Sequence, residues 1–319
     1  MSKLIRIVIS VALLALVVWF ADWPSILAVL KRVRPEWALV AFAASALDRV
    51  ILTFRWQVLL ATRGVHLSFG RVLKTLLAAN FIGSFLPSSL GVDAVRIAAL
   101  LRAGQPPDIA TASTLVDRVT MVLATLLFGS ATILVLTGTR VPPHLAQFVF
   151  ATTIVGVLVC AAAFHPAVRR WAHAKLLPWI PARVRDQVSQ ALSACLAYAR
   201  DTKALVWLIL TTAAVFAARI VFAKAVGLAC GVNVPYEALL TVIPILWIIV
   251  MLPITIGGFG VQEVGYVAVM ALVGVPPAVA VSMSLVEHIV VRAVTLPGAL
   301  FIGSVTSRGP RETNPLPSP

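Results

Sequence analysis

The chain has 319 residues, 60% of them hydrophobic and only 12% charged, with a mean hydropathy of +0.99. A soluble domain covers its surface with roughly a quarter charged residues, so the composition excludes a soluble globular protein and describes an all-α, polytopic helical membrane protein. The 26 Lys+Arg against 12 Asp+Glu give a net charge of +14; in such a chain the basic excess belongs to cytoplasmic loops and anionic lipid headgroups, and nucleic acid is not an expected partner.

Apolar segments run over 7–23, 37–60, 72–86, 112–137, 145–164, 204–229, 236–252, 262–274 and 278–305. About 20 apolar residues cross a hydrocarbon core of about 30 Å. The third, seventh and eighth are short or interrupted, and the others read as ordinary spans. Segment 7–23 follows Lys3 and Arg6, which gives it the basic start of a signal peptide. Ala21-Asp22-Trp23-Pro24 is a poor cleavage site, however, and the segment reads as a retained first span. Asp48, Arg49 and Arg55 lie inside the second segment.

The third segment leads into a broken stretch, Asn80-Phe-Ile-Gly-Ser-Phe-Leu-Pro87-Ser-Ser-Leu-Gly91-Val-Asp93-Ala-Val-Arg96. Pro87 removes a donor and disfavours helix at Leu86, while Gly83 and Gly91 permit tight turns. Ser88 and Ser89 are candidate caps for a helix starting near Gly91, whose N-terminus suits a phosphate or carboxylate. Arg96 adds charge-assisted bonds one turn in, or pairs with Asp93 three residues earlier. Asn80 is a ligand or an ordinary helix–helix hydrogen bond. A plain turn between short helices is the simpler account of the break.

Asp117-Arg118 lie about five residues into the next span, where an interfacial ion pair competes with a functional role. After 145–164, residues 165–203 carry Arg169, Arg170, Lys175, Arg183, Arg185, Arg200 and Lys203 interleaved with Trp171 and Trp179. This is a cytoplasmic amphipathic segment. Arg219 and Lys224 fall in the sixth segment; Lys224 snorkels, and Arg219 is too deep for that and faces a cavity. A second broken stretch follows, Pro253-Ile-Thr-Ile-Gly257-Gly258-Phe-Gly260-Val-Gln-Glu263. Its glycines allow close backbone approach, and Glu263 either caps the following helix or belongs to a site. Glu287, His288 and Arg292 are deep in the last span, where buried charge is expensive and points to interior partners. The tail at 308–319 reads as disordered.

The two broken stretches are versions of one another. Leu86-Pro87 to Gly91 reappears at Leu252-Pro253 to Gly257, an offset of 166, while Pro106-Pro107 and Leu115-Val-Asp117 reappear at Pro276-Pro277 and Leu285-Val-Glu287, an offset of 170. Four residues inserted in the second copy account for the difference. At the first offset Gln262 is the counterpart of Arg96, so anion binding is expected to favour the first hairpin, with a glycine-lined exit at the second. With 165–203 placed inside, no Lys or Arg occurs between Lys224 and Arg292, as an external hairpin requires. The loop Lys31-Arg32-Val-Arg34 is the exception. One hairpin then enters from each face, giving an inverted repeat (units 72–137 and 238–305) with two re-entrant or broken-helix hairpins, the arrangement of many secondary transporters.

Cys160, Cys195 and Cys230 have no metal or disulfide spacing, and neither metal nor cofactor is expected. No HExxH, GxSxG or Walker A motif occurs, so the chain is not expected to be an enzyme.

Asn80, Leu86-Pro87, Gly91, Asp93-Ala-Val-Arg96, Ser113-Thr-Leu-Val-Asp117-Arg118 and Pro253 to Gly257-Gly258-x-Gly260-x-x-Glu263 together resemble the lysylphosphatidylglycerol synthase transmembrane family across about residues 5–305. The resemblance implies a flippase-like domain that moves a lipid with an anionic or phosphate-bearing head across a bacterial or archaeal cytoplasmic membrane; the charge distribution above is what suggests that both termini are cytoplasmic. The lipid would be a phospholipid, aminoacyl-phospholipid, polyprenyl-phosphate glycolipid or hopanoid type. It implies membrane lipids as partners, and a separate lipid-modifying or glycosyl-transfer enzyme as a further one. Two departures stand out: the aminoacyl-transfer domain is absent, so lysylphosphatidylglycerol synthesis is not expected, and Val92 stands where many relatives have glycine. The substrate-binding set expected on this basis is Asn80, Ser88, Ser89, Gly91, Asp93, Arg96, Asp117, Arg118, Arg219, Gly257, Gly258, Gly260, Glu263, Glu287 and Arg292. The alternative is a non-transporting accessory or scaffold subunit of a lipid-modifying enzyme, or an intramembrane lipid-modifying enzyme.

Overall fold

The computed structural model describes residues 22–84, 90–135, 141–175, 193–251 and 260–303. Outside them lie residues 1–21, 85–89, 136–140, 176–192, 252–259 and 304–319, and with these most of the expected first span, the expected hairpin breaks at 85–89 and 252–259, much of the expected amphipathic segment and the tail. The described residues are helical without strands. In chain order the helices are α1 (Trp23–Lys31), α2 (Pro35–Ala61), α3 (Phe69–Gly83), α4 (Leu90–Arg102), α5 (Pro107–Val135), α6 (Pro143–Phe164), α7 (Pro166–Lys175), α8 (Thr202–Ala229), α9 (Tyr236–Met251), α10 (Val261–Ala271) and α11 (Pro277–Thr295). A 3₁₀ turn, Leu296–Phe301, follows α11. Five stretches are long and apolar enough to cross a membrane: α2, α5, α6, α8, and α11 with its 3₁₀ extension. They coincide with five of the six spans expected from the sequence; the sixth, 7–23, lies mostly outside the described residues.

Proline opens α2, α6 and α11 at the first or second helical position, where its missing N–H costs nothing. The last expected span is not one helix. Pro297 removes a donor beyond α11 and the chain tightens to 3₁₀ pairing. Gly298 then crosses α3 so closely that a Cβ there would lie 2.2 Å from the Leu77 carbonyl oxygen.

The centre of the molecule is the crossing of α2 on α8, the most extensive helix pair, with α11 packed on both. The first half continues α2–α3–α4–α5 by successive packing, the second α8–α9–α10–α11, and α5 meets α9 between the halves. That last contact is close because Gly129 faces Pro244, whose Cβ lies 3.1 Å from where a Gly129 Cβ would be. The main apolar cluster gathers Leu239, Ile243, Ile245, Tyr266, Met270 and Met283 around these elements. By contrast α6 exposes Ile154, Val155, Leu158 and Val159. In water such an aliphatic face would be a liability, and in a bilayer it meets lipid tails.

The amphipathic segment is partly described. Helix α7 carries an exposed Trp171, as an interfacial segment should. At its far end residues 193–199 are helical and dock on the protein. Tyr198 donates to the Leu59 carbonyl at 2.8 Å, with the Arg63 guanidinium 4.4 Å from its ring. Burial pushes the Cys195 thiol up to about 11, so it is an unreactive thiol. Lys224 does not snorkel freely: its Nζ donates to Asn233 Oδ1 at 2.5 Å and to the Val234 carbonyl at 2.6 Å.

Candidate functional site

A cavity of about 220 Å³ opens between the two halves. Helix α2 contributes Asp48 and Arg49, α3 contributes Asn80 and Ser84, and α8 contributes Arg219. Trp247 of α9, Gln262 of α10, and Glu287, His288 and Arg292 of α11 complete its polar lining. Asp48, Arg49, Arg219 and Glu287 lie well inside long helices, where their cost falls only if the interior supplies partners, and Arg292 is in the last turn of α11. Arg219 Nε donates to Asp48 Oδ1 at 3.1 Å, and its guanidinium lies 3.9 Å from the Trp247 ring centre. A desolvated stack of that kind is worth about 2 kcal/mol. Arg49 Nη1 is 3.7 Å from Asp48 Oδ2. Tyr266, buried behind the cavity, donates its hydroxyl to Glu287 Oε2.

Three arginines, Arg49, Arg219 and Arg292, line the cavity with two carboxylates, Asp48 and Glu287. Two donors of the lining, Arg49 Nε and Gln262 Nε2, are buried without a hydrogen-bond partner among the described residues. Buried donors are nearly always satisfied. These donors can serve an acceptor-rich group. The cavity's volume is small against the roughly 300–1,000 Å³ of drug-sized sites.

A second polar cluster lies in the first half and does not line the cavity. Asp117 accepts from Arg55 Nε at 2.7 Å and from Arg96 Nη2 at 2.8 Å. Arg55 also donates to the Leu208 carbonyl at 2.9 Å, to Thr212 at 2.5 Å and to Thr120 at 2.6 Å. It thus ties α2 to α5 and α8. Arg96 Nη1 is 3.6 Å from Asp93, and its guanidinium lies 4.2 Å from the Trp56 ring centre. Arg118 Nη1 is 3.6 Å from Asp93 as well.

The expected set therefore divides. Asn80, Arg219, Glu287 and Arg292 line the cavity. Asp93, Arg96, Asp117 and Arg118 form the ion-pair cluster. Of the two alternatives open to it Arg96 takes the ion pair: it pairs with Asp93 and Asp117 and is not part of the cavity lining. Asp117 is the eleventh residue of α5, because the helix begins at Pro107 rather than at 112, and its pair is buried rather than interfacial. Asn80 donates to the Leu76 carbonyl of its own helix at 2.8 Å, not to another helix. Glu263 caps α10, accepting from the Gly260 N–H at 2.6 Å, and reaches α11 at Ser284 (3.3 Å) and His288 (2.9 Å). Gly260 makes this cap with φ of 83°, a conformation that favours glycine. Gly91 is in the first turn of α4. Ser88, Ser89, Gly257 and Gly258 lie outside the described residues.

Residue pairing also corrects the alignment of the two stretches. If the four extra residues precede α10, the offset of 170 applies there, and Leu90 aligns with Gly260, the residue before the start of α10 at Val261. The counterpart of Arg96 is then Tyr266, not Gln262. On that register Arg96–Asp117 corresponds to Tyr266–Glu287, both 21 residues apart, and Asp93–Arg118 corresponds to Glu263–His288. The basic cavity lining comes from α2, α8 and α11, not from the first hairpin. Asp48, Arg49, Ser84, Trp247, Gln262 and His288 are the lining residues absent from the expected set; charge at the middle of α2 was the available signal for the first two.

Val92 has a local explanation. Its Cγ2 lies 2.3 Å from the position a Cβ on Gly83 would take, so the valine fills the space the glycine of α3 leaves. Among the described residues no group of His, Cys, Asp and Glu is arranged to hold a metal ion.

The chain is 23% identical over 311 residues to a UPF0104 membrane protein of Methanothermobacter thermautotrophicus (strain ATCC 29096 / DSM 1053 / JCM 10044 / NBRC 100330 / Delta H), a match covering 90% of each. Residues 4–298 match the family described as the lysylphosphatidylglycerol synthase TM region, and at that coverage the chain belongs to this family of multi-pass membrane proteins, with a function related to membrane lipid.

Proposed function

We propose that the protein is a transporter that moves a lipid with an anionic or phosphate-bearing head across a cytoplasmic membrane. The observation that carries this reading is the polar cavity between the halves, lined by three arginines and two carboxylates and holding two unsatisfied donors, Arg49 Nε and Gln262 Nε2. A head held there leaves its acyl chains to the apolar helix faces and the bilayer. Helices α2 to α5 and α8 to α11 act as inverted repeats with re-entrant or broken-helix hairpins. The matched pairs at an offset of 170 support the repeat, and the basic-residue distribution supports the opposite orientations. The same distribution puts both termini in the cytoplasm. No site for ATP is required in this scheme; an ion gradient, the membrane potential or downhill lipid movement drives it.

The test is reconstitution. Proteoliposomes carrying headgroup-labelled phosphatidylglycerol or phosphatidylcholine are compared with empty vesicles for exchange between leaflets. The reading expects protein-dependent movement that favours the anionic head. Rates equal to those of empty vesicles for every anionic lipid supplied, with folded protein, would remove it.

A further inference from the structure

The two halves hold the same pairs with different chemistry. In the first, Asp117 is gripped by Arg55 and Arg96, and Asp93 by Arg96 and Arg118. Arginine does not lose its proton in proteins, so those carboxylates always face a fixed positive charge. At the corresponding places of the second half the partner of Glu287 is the phenol of Tyr266, and the partner of Glu263 is the imidazole of His288. A phenol hydroxyl donates to an ionised carboxylate and accepts from a protonated one, so Glu287 keeps a hydrogen bond in either state.

Glu287 also faces the cavity, whereas Glu263 is 2% exposed and committed to the Gly260 N–H. The titratable and charged groups around Glu287 are Asp48 and Arg49 from α2, Arg219 from α8, Glu263 and Tyr266 from α10, and His288 and Arg292 on its own helix. The lining residues of α3 and α9 add none. Asp48 is held by Arg219 at 3.1 Å and Arg49 at 3.7 Å, which leaves Glu287 as the lining carboxylate with a neutral partner. An anionic head entering this space meets the Glu287 charge, and a proton on Glu287 removes the repulsion. Proton and anion binding are then positively coupled, and reciprocally so.

We infer that Glu287 is a proton-binding site coupled to the head-binding cavity, so that an anionic lipid head and one proton occupy and cross the protein together. The inference rests on the transport reading above and adds its coupling ion.

The test titrates purified protein in neutral-detergent micelles with dihexanoylphosphatidylglycerol, in pairs of buffers that differ in ionisation enthalpy, from about pH 5 to about pH 9. Dihexanoylphosphatidylcholine is the control. Wild type is expected to take up close to one proton per anionic probe on the alkaline side, with affinity falling about tenfold per pH unit there. Glu287→Gln is expected to bind the anionic probe without proton uptake and with flat affinity. Tyr266→Phe keeps the carboxylate but removes a bond that favours its ionised form, so its alkaline fall moves to higher pH. Anionic binding without proton uptake in wild type, or uptake that persists in Glu287→Gln, overturns the coupling and leaves the transport reading standing. Failure of wild type to bind the anionic probe in preference to the control overturns both. If Glu287→Gln does not fold, an alkaline fall in Tyr266→Phe that coincides with wild type overturns the coupling.

Discussion

Replacing Asp117 by alanine tests whether the first-half cluster is a structural clamp. The carboxylate receives Arg55 at 2.7 Å and Arg96 at 2.8 Å, two charge-assisted bonds of about 1.5–3 kcal/mol each. Removing it leaves two buried guanidinium groups short of a counter-charge. Arg55 keeps its bonds to Leu208, Thr120 and Thr212, and Arg96 keeps Asp93 at 3.6 Å, so the loss does not reach the sum of every contact. Breaking one side of a buried pair costs about 3–5 kcal/mol, and that is the expected destabilisation. Breaking the matching pair of the second half from its donor side, by Tyr266→Phe, removes one hydroxyl bond and should cost about 1 kcal/mol. Denaturant titration in micelles, run as a double-mutant cycle with Arg96→Met, measures both the loss and the coupling. A cost below about 1 kcal/mol for Asp117→Ala, or strict additivity with Arg96→Met, would refute the clamp.

Gly83→Ala should destabilise by about 1–3 kcal/mol through collision with Val92, whose Cγ2 lies 2.3 Å from the new Cβ; adding Val92→Ala should recover much of the loss in the same titration. Gly298→Ala meets main chain, the Leu77 carbonyl oxygen at 2.2 Å, and no single side-chain truncation should rescue it; full stability in this variant would show that the 3₁₀ turn does not cross α3 as described. Tyr198→Phe leaves the Leu59 carbonyl without its 2.8 Å donor and should cost about 1 kcal/mol in the same titration; unchanged stability would show that this bond does not hold the helical stretch 193–199 to α2.

Much of the architecture was readable from hydropathy because a bilayer imposes length. Helices α2, α5, α6 and α8 begin and end within a few residues of the apolar segments, the largest discrepancy being the start of α5. There Asp108, Thr111, Ser113 and Thr114 made the first turns look polar, although they continue the helix. The break at Pro297 was present in the sequence, but apolar composition on both sides concealed it. Arg219 was placed toward a cavity by depth alone, and correctly so. Pairing was less accessible. A sequence shows that Arg55 is intramembrane without showing that Asp117, 62 residues away, is its partner. The position of a four-residue insertion is likewise underdetermined by a few matching prolines and glycines; the spatial pairs Arg96–Asp117 and Tyr266–Glu287 favour one before α10. The cavity draws on seven helices, so its lining could only be gathered after they were packed.

The claim that the cavity takes an anionic head is tested most directly by Arg219→Ala in proteoliposomes, assayed with headgroup-labelled phosphatidylglycerol and phosphatidylcholine side by side. Arg219 lies against Trp247 at 3.9 Å in the cavity wall, and losing a charge-assisted bond to the head should slow movement of the anionic lipid about 10- to 100-fold, with little effect on the zwitterionic one. Folded Arg219→Ala protein that moves phosphatidylglycerol at the wild-type rate would contradict the account.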